Sequence, residues 1–335
     1  MVAPANGGEK PGEVTTRRLK PADAAGLRHC FERCYGLSYP HGNFYDNAAL
    51  ARRVESGDLR SVIAVAPGGE IVGHTGLFRR HPNAAVVEAG NTIVDPGYRG
   101  SGVLRLLGEA LVERCREEGF AGFIHYPTTA HEVMQRTSVR FGGVETGVML
   151  AYVSEETDYR EVEVDQPDGR LAVTVVYQPI GELSARSVTL PKRHRALLER
   201  LYTELSAPRT PRAAHAPAGP SSLSISHTPK EGLLRISVEE VGEDLAELIE
   251  ALPDQQAAAP LAQADLRLDD PGVEAAVEVL ADLGFLYGAL IPEFAPCDVL
   301  RLQRPREATP ATFEPKLAND GARRLLDYIN EDRLR

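Results

Sequence analysis

The sequence predicts an α/β fold of the α+β kind, with helices flanking a sheet, followed by a second and smaller α/β domain. Three observations predict it. Between residues 14 and 178, segments with strand-like apolar patterning alternate with segments at helical spacing. A glycine-rich turn joins a hydrophobic strand to an amphipathic helix at 94–104. After a stretch at 207–220 that is rich in Pro and Ala, the alternation begins again. The first domain is set at 13–180, a helix and linker at 181–220, and the second domain at 221–335. Residues 1–12, small, polar and glycine-rich without an apolar core, are expected to be a disordered leader.

Taken in order, a strand at 14–19 leads to a helix at 21–35 that starts on Pro21 and stops at Gly36, the ends at which those residues are favoured. A second helix covers 47–55. Strands at 59–66 and 70–79 are joined by Pro67-Gly68-Gly69, a short hairpin connection. A strand at 85–94 follows, then a helix at 101–118 whose Val103, Leu107, Leu111 and Cys115 recur at helical spacing. A strand at 120–126, a helix at 131–140 and strands at 144–153 and 171–178 complete the first domain. A helix at 191–205 places Leu197, Leu198, Leu201 and Leu205 along one face. Residues 207–220 hold four Pro and five Ala without periodicity and read as a mobile linker or exposed loop. Beyond them come strands at 223–226 and 233–239, a helix at 243–252, a strand at 264–268, a helix at 273–283, strands at 285–291 and 299–303, and a last helix at 320–333. The order strand, turn, helix, glycine, strand of 121–153 recurs at 264–294, a weak internal repeat.

The run Val94-Asp95-Pro96-Gly97-Tyr98-Arg99-Gly100-Ser101-Gly102-Val103-Leu104 is suited to holding phosphates. Glycine lets backbone N–H groups approach an anion, the start of a helix favours negative charge, and Arg99 adds a cation. A P-loop would need Gly, four residues, Gly-Lys and Ser or Thr, and no such run occurs. A dinucleotide fingerprint would need a third Gly where Arg105 stands. Arg99-Gly100-Ser101-Gly102-Val103-Leu104 instead resembles the signature of the Gcn5-related N-acetyltransferases (GNAT): Arg or Gln, two residues, Gly, one residue, then Gly or Ala, with Leu104 in the last place. The element order of 14–178 is similar to that family's as well. The resemblance implies a mixed, mostly antiparallel sheet flanked by helices, and an N-acyltransferase that moves an acyl group to a primary amine by direct attack in a ternary complex.

The resemblance further implies acetyl-CoA, or another short acyl-CoA, lying where the strand at 85–94 splays from the strand at 120–126. Its phosphates fall on Arg99, Gly100, Ser101, Gly102, Val103 and Leu104, and its pantetheine arm on Ile93, Val94 and Asp95, with a backbone N–H near Val94 polarising the thioester carbonyl. His131 and Gln135, four apart on one helical face, would line the adenosine or diphosphate side; the competing reading is a solvated helix surface. The attacking amine must be neutral, so a base is needed within hydrogen-bond reach. Glu88 is the candidate, flanked by Val86, Val87 and Ala89 in surroundings that raise a carboxylate's pKa, and its competing reading is an exposed residue at a sheet edge. Where many relatives carry a Tyr that protonates the departing thiolate, this chain has Ser138, so either Ser138 with a water or Tyr126 takes that role. The acceptor is expected at the loop 36–46, whose Tyr39, His41, Asn43 and Tyr45 offer stacking and hydrogen bonding, although a capped structural turn uses such groups too.

The second domain resembles the C-terminal half of the same fold without its phosphate turn. In its place stands Glu239-Glu240-Val241-Gly242-Glu243-Asp244, and four carboxylates repel a pyrophosphate. A degenerate GNAT-like partner is therefore expected, packing against the first domain or walling the substrate site.

Composition bounds the rest. With 335 residues, 43% hydrophobic and 25% charged, the chain suits about two domains. No run of about 18 apolar residues occurs, so no membrane span is expected. The net charge of −11 lies wholly in residues 221–335, which hold 11 Lys and Arg against 22 Asp and Glu, while residues 1–220 hold 26 of each. A polyanionic cofactor suits the neutral half, and nucleic acid is a poor partner. Four Cys make no disulfide framework or metal spacing; Cys30 and Cys34 share a helical face with Leu27 and Phe31 and read as buried thiols, in a cytoplasmic setting. The expected partner is a small-molecule amine, and a homodimer is compatible with the sequence. The alternative function is a non-catalytic acyl-CoA sensor, favoured by the missing Tyr and by Leu104.

Overall fold

A computed structural model describes residues 13–39, 41–79, 81–155, 157, 169–306 and 315–335; the expected leader at 1–12 lies outside them. In chain order the elements are β1 (Thr15–Arg18), α1 (Ala24–Tyr35), α2 (Asn47–Glu55), β2 (Arg60–Val65), β3 (Ile71–Phe78), β4 (Val86–Val94), α3 (Val103–Glu117), β5 (Gly122–His125), α4 (Glu132–Arg140), β6 (Val144–Val153), β7 (Leu171–Pro179) and β8 (Arg186–Thr189). They continue with α5 (Arg195–Glu204), β9 (Arg209–Arg212), β10 (Ser222–Thr228), β11 (Leu233–Glu240), α6 (Leu245–Glu250), α7 (Asp254–Ala257), β12 (Leu261–Arg267), α8 (Val273–Asp282), β13 (Leu286–Ile291), β14 (Val299–Pro305) and α9 (Asp320–Asp332). Every expected element is present with its ends shifted by a few residues, whereas β8, β9 and α7 were not expected. No described helix is long and apolar enough to cross a membrane. The contacts divide the chain into two units.

The first unit holds residues 13–78 and 89–117 among those described. Its strands run in the order β1, β2, β3, β4, with β1, β2 and β3 antiparallel. Strand β2 is apolar from Val62 to Val65 because both of its faces are covered there. Ile63 joins Leu27, Phe31, Phe44 and Leu50 in the layer of α1 and α2, while Val62 and Ala64 meet Val103 and Leu107 of α3 on the other side. Helix α3 lies so close to β3 that a Cβ on Gly73 would stand 2.9 Å from Leu107 and 3.0 Å from Val103. Cys30 and Cys34 are buried in this core as free thiols.

The second unit holds residues 79, 81–88, 118–155, 157, 169–306 and 315–335 among those described. Residues 86–88 of β4 pair in parallel with β5, β5 pairs antiparallel with β7, and β7 antiparallel with β6. Strand β6 meets β13 at Gly147 and Ala289, and β13 continues antiparallel to β14 and β14 to β12, which runs parallel to β11. The order β11, β12, β14, β13 thus repeats β4, β5, β7, β6, parallel first and antiparallel twice. The repeat differs in one respect. Strands β11 and β12 pair at six positions, 233–238 with 261–266, whereas β4 and β5 pair at three, Val86 with Gly122, Val87 with Phe123 and Glu88 with Ile124.

The stretch 207–220, expected as a linker or exposed loop, is folded at its start, and this corrects the sequence reading. Strand β9 pairs in parallel with β8. The Arg209 side chain is 2% exposed, with Nε 2.5 Å from Asp298 Oδ2 and Nη2 3.3 Å from Glu293 Oε1. What holds the segment is buried charge pairing over some 90 residues of sequence, which composition and periodicity do not register.

Candidate active site

The glycine-rich turn leaves β4 at Val94 and enters α3 at Val103. Gly100 and Gly102 have φ of +75° and +91°, a backbone conformation that glycine adopts without steric cost. A Cβ at either would meet nothing within 4 Å, so the turn is open, and Arg99, Gly100, Ser101 and Gly102 are all exposed. Among the described residues nothing accepts a hydrogen bond from the backbone N–H of Gly100, Gly102 or Val103. Open N–H groups at the start of a 15-residue helix, beside Arg99, fit a polyanion. Ser101 Oγ donates to Tyr98 O at 2.6 Å, so its hydroxyl braces the turn. Val103 is buried against β3 and Leu104 is half-buried, which leaves these two their backbone groups alone to offer.

Asp95, expected to pair with pantetheine, is instead committed to the fold. Its N–H donates to Val72 O at 2.9 Å, and its buried carboxylate accepts from Gly97 N–H at 2.9 Å and from the Arg33 guanidinium. Ile93 is buried and Val94 half-buried. Upstream, Asn91 has φ +55°, rare for a residue with a Cβ and most tolerated in Asn and Asp. Its carbonyl accepts from His74 Nδ1 at 2.8 Å. Burial lowers His74 to about 4, so the ring is neutral, and Nε2 is left to accept from Ser61 Oγ at 2.8 Å. Asn91 Nδ2 donates to the Tyr39 hydroxyl. The tip of the loop 36–46 therefore touches β4 at its irregular residue.

That loop is organised by aromatic packing. Tyr39 lies 4.9 Å from Phe31 and 4.8 Å from Tyr35, and its N–H donates to the Tyr45 hydroxyl at 3.2 Å. Tyr39 and Tyr45 are half-buried, while His41 and Asn43 are exposed. Pro40 lies outside the described residues.

In the second unit Glu88 is half-buried on β4. Tyr126 stacks on Tyr152, centroids 5.4 Å apart and planes at 14°, and its hydroxyl accepts from Arg301 Nη1 at 3.0 Å. Ser138, expected to hold a water, is buried and donates to Met134 O at 2.7 Å, one turn back in its own helix. Gln135, expected at the cofactor, is wholly buried: its Nε2 donates to Lys316 O and its Oε1 accepts from Ala318 N–H, both at 2.9 Å. It staples a distant segment to α4. His131 is half-buried at the N-cap of that helix. Sequence reasoning missed Asn91, the His74 and Ser61 pair, and Arg301 with its neighbours. The asparagine was the one with a signal, being among the residue types with a Cβ that best tolerate positive φ.

The family model described as "Acetyltransferase (GNAT) family" matches residues 24–137. No curated protein matches the chain. Among solved structures it is similar to the GNAT superfamily phosphinothricin acetyltransferase (Pat) from Sinorhizobium meliloti in complex with AcCoA, at 21% identity over 50% of this chain and 89% of that one, with TM-score 0.41. It is similar to an N-acetyltransferase from Staphylococcus aureus Mu50, at 12% identity over 50% and 99%, TM-score 0.41. It is also similar to yncA from Salmonella typhimurium with its cofactor acetyl-CoA, at 16% identity over 52% and 98%, TM-score 0.41. The glycine turn and the positive-φ Asn91 both lie within residues 24–137, the span that the acetyltransferase (GNAT) family model matches.

Proposed function

We propose that the chain transfers an acetyl group, or a similar short acyl group, from coenzyme A to the primary amine of a small molecule. The observation that carries this reading is the exposed turn at 99–103, with its open N–H groups, following a β4 whose Asn91 has positive φ. Gly100, Gly102 and Val103 N–H groups and Arg99 hold the diphosphate. Backbone groups of β4 at Ile93 and Val94 hold the pantetheine arm, and an N–H there polarises the thioester carbonyl where negative charge develops. The acceptor nitrogen bonds to the acetyl carbon as the carbon–sulfur bond breaks, and Glu88 takes the proton that the nitrogen gives up. Tyr126, tied to Arg301, lines the acceptor side. Tyr39, His41, Asn43 and Tyr45 are retained as residues that meet the acceptor, and His131 as one near the cofactor.

Residues 221–335 are, in this reading, a second GNAT-like copy without an acyl-CoA site. The repeated strand order supports it, as do the six-position pairing of β11 with β12 and the acidic run 239–244. Thiol release from acetyl-CoA with a panel of amines tests the function. Turnover with at least one amine is expected, and Glu88→Gln should lower kcat by about 100-fold or more, the usual worth of a positioned base, while acetyl-CoA still binds. Acetyl-CoA binding with no turnover on any amine would leave the sensor reading standing instead.

A further inference from the structure

Strands β11, β12 and β14 carry opposite chemistry on their two faces. Ile236, Val238, Ala264, Leu266, Leu300 and Leu302 are core residues, whereas Arg235, Gln263, Asp265 and Arg301 alternate with them on the other face. A polar face of this kind ordinarily meets water. Here Gln263 is 0% and Arg301 1% exposed. The register sets Arg235 beside Gln263 and Asp265 beside Arg301. Asp265 accepts from Arg301 Nε at 2.6 Å and Nη2 at 2.7 Å, and the remaining Nη1 reaches the Tyr126 hydroxyl. Tyr152, stacked on Tyr126, has its hydroxyl pushed up first by burial and then by the charge of Glu88, with Arg235 and Arg301 pulling the other way. Glu88 and Arg235 therefore both act on Tyr152.

Two groups on this face lack a counterpart. Arg235 is half-buried, and its contacts are with Gln263 Oε1 at 3.3 and 3.4 Å; no carboxylate among the described residues pairs with it. Among the described residues the buried Gln263 Nε2 donates to nothing, a state rare in folded proteins unless a ligand or water completes it. Arg301 and Asp265 neutralise one another, so Arg235 is a further cation of this polar face among the described residues, and the carboxylate of Glu88 acts on Tyr152 as Arg235 does. We propose that the acceptor is a free amino acid, its carboxylate held by Arg235 and Gln263 and its amine delivered to Glu88 along the Tyr126 and Tyr152 rings. This rests on the acyl-transfer reading and adds the class of acceptor to it.

Matched acceptors test the assignment: a panel of amino acids, each with its methyl ester, assayed on the full chain by thiol release. A site built to bind a charged group rejects the analogue lacking it by large factors. The acids should exceed their esters in kcat/KM by about 100-fold, and in Arg235→Ala that ratio should shrink at least about tenfold. Arg235→Lys, which keeps the charge and loses the fork, should fall between. Because the readout is a ratio within one protein, partial loss of folded enzyme cancels. Esters used as well as acids, or a ratio unmoved in Arg235→Ala, overturns the amino-acid assignment and leaves acyl transfer standing. If no amine is turned over, acyl transfer falls, and calorimetry still decides the role of Arg235: acids that bind wild type and not Arg235→Ala support it, and acids that bind neither overturn it.

Discussion

Gly100 and Gly102 differ from the other candidates at the scale of single residues, because what fixes them is a dihedral angle and not a neighbour. With φ at +75° and nothing within 4 Å of where a Cβ would stand, Gly100 can be replaced without a clash but not without backbone strain. Leaving glycine at such an angle costs about 1–2 kcal/mol for an ordinary residue. Gly100→Val should therefore lower stability by about that amount, Gly100→Asn by less, and both should weaken acetyl-CoA by crowding the open N–H groups. Urea unfolding and calorimetric titration check the two effects separately, and equal stability losses for Val and Asn would show that φ is not the cause. These glycines were legible because their residue type states their conformation. Gln135 and Ser138 were not: helical spacing places them on a face correctly, but it cannot say that 316–319 covers Gln135 or that Ser138 bonds back to Met134. Asn91 fell between these cases, since its residue type permits positive φ without requiring it.

Periodicity located the long elements and failed where an element is held by charge. Strands β8 and β9 have no apolar alternation to betray them, and β9 is fixed by Arg209 against Asp298 and Glu293. Breaking a buried pair by removing one partner leaves the other charge stranded and typically costs about 3–5 kcal/mol. Arg209→Ala should show a loss of that size in urea unfolding. Adding Asp298→Asn should cost much less than the two single losses summed, because the carboxylate it removes no longer has a partner. Additive losses would mean that the pair contributes nothing to holding β9. The same limit hid the polar face of β11, β12 and β14. Alternating apolar and polar residues read identically whether the polar side meets water or a buried network, so the pattern does not single out the buried Arg301 and Gln263. Only the pairing registers, set by contacts far apart in sequence, tell the two apart.

Charge was legible for the whole molecule in one respect, the acidic bias of 221–335, and hidden in another, the burial of neutral histidines. His74 in the first unit and His194 in the second are each lowered to about 4, chiefly by desolvation, against about 6.5 in an unfolded chain. His194 is held by Tyr328 at 2.8 Å much as His74 is held by Asn91 and Ser61. A depressed pKa means that the unfolded state binds more protons through the interval, so these two contribute full stability above about pH 6.5 and lose it as pH falls toward 4. Each adds at most about 1.4 kcal/mol per pH unit to the slope. Glu145, raised by burial, acts oppositely, its contribution improving as pH falls through its folded value. Asp23, Asp46 and Asp244 are lowered, so their losses come below the ordinary carboxylate value and outside this window. The histidine part is therefore read as a difference: urea unfolding of wild type and His74→Asn across pH 4 to 8. The variant should be less stable at pH 8, where it has lost a buried hydrogen-bonded ring, yet decline more gently between pH 6.5 and 4, so that the two curves converge toward acid. Parallel curves would mean that His74 is protonated as readily in the folded protein as in the unfolded one, and that the buried network at Asn91 is open to water.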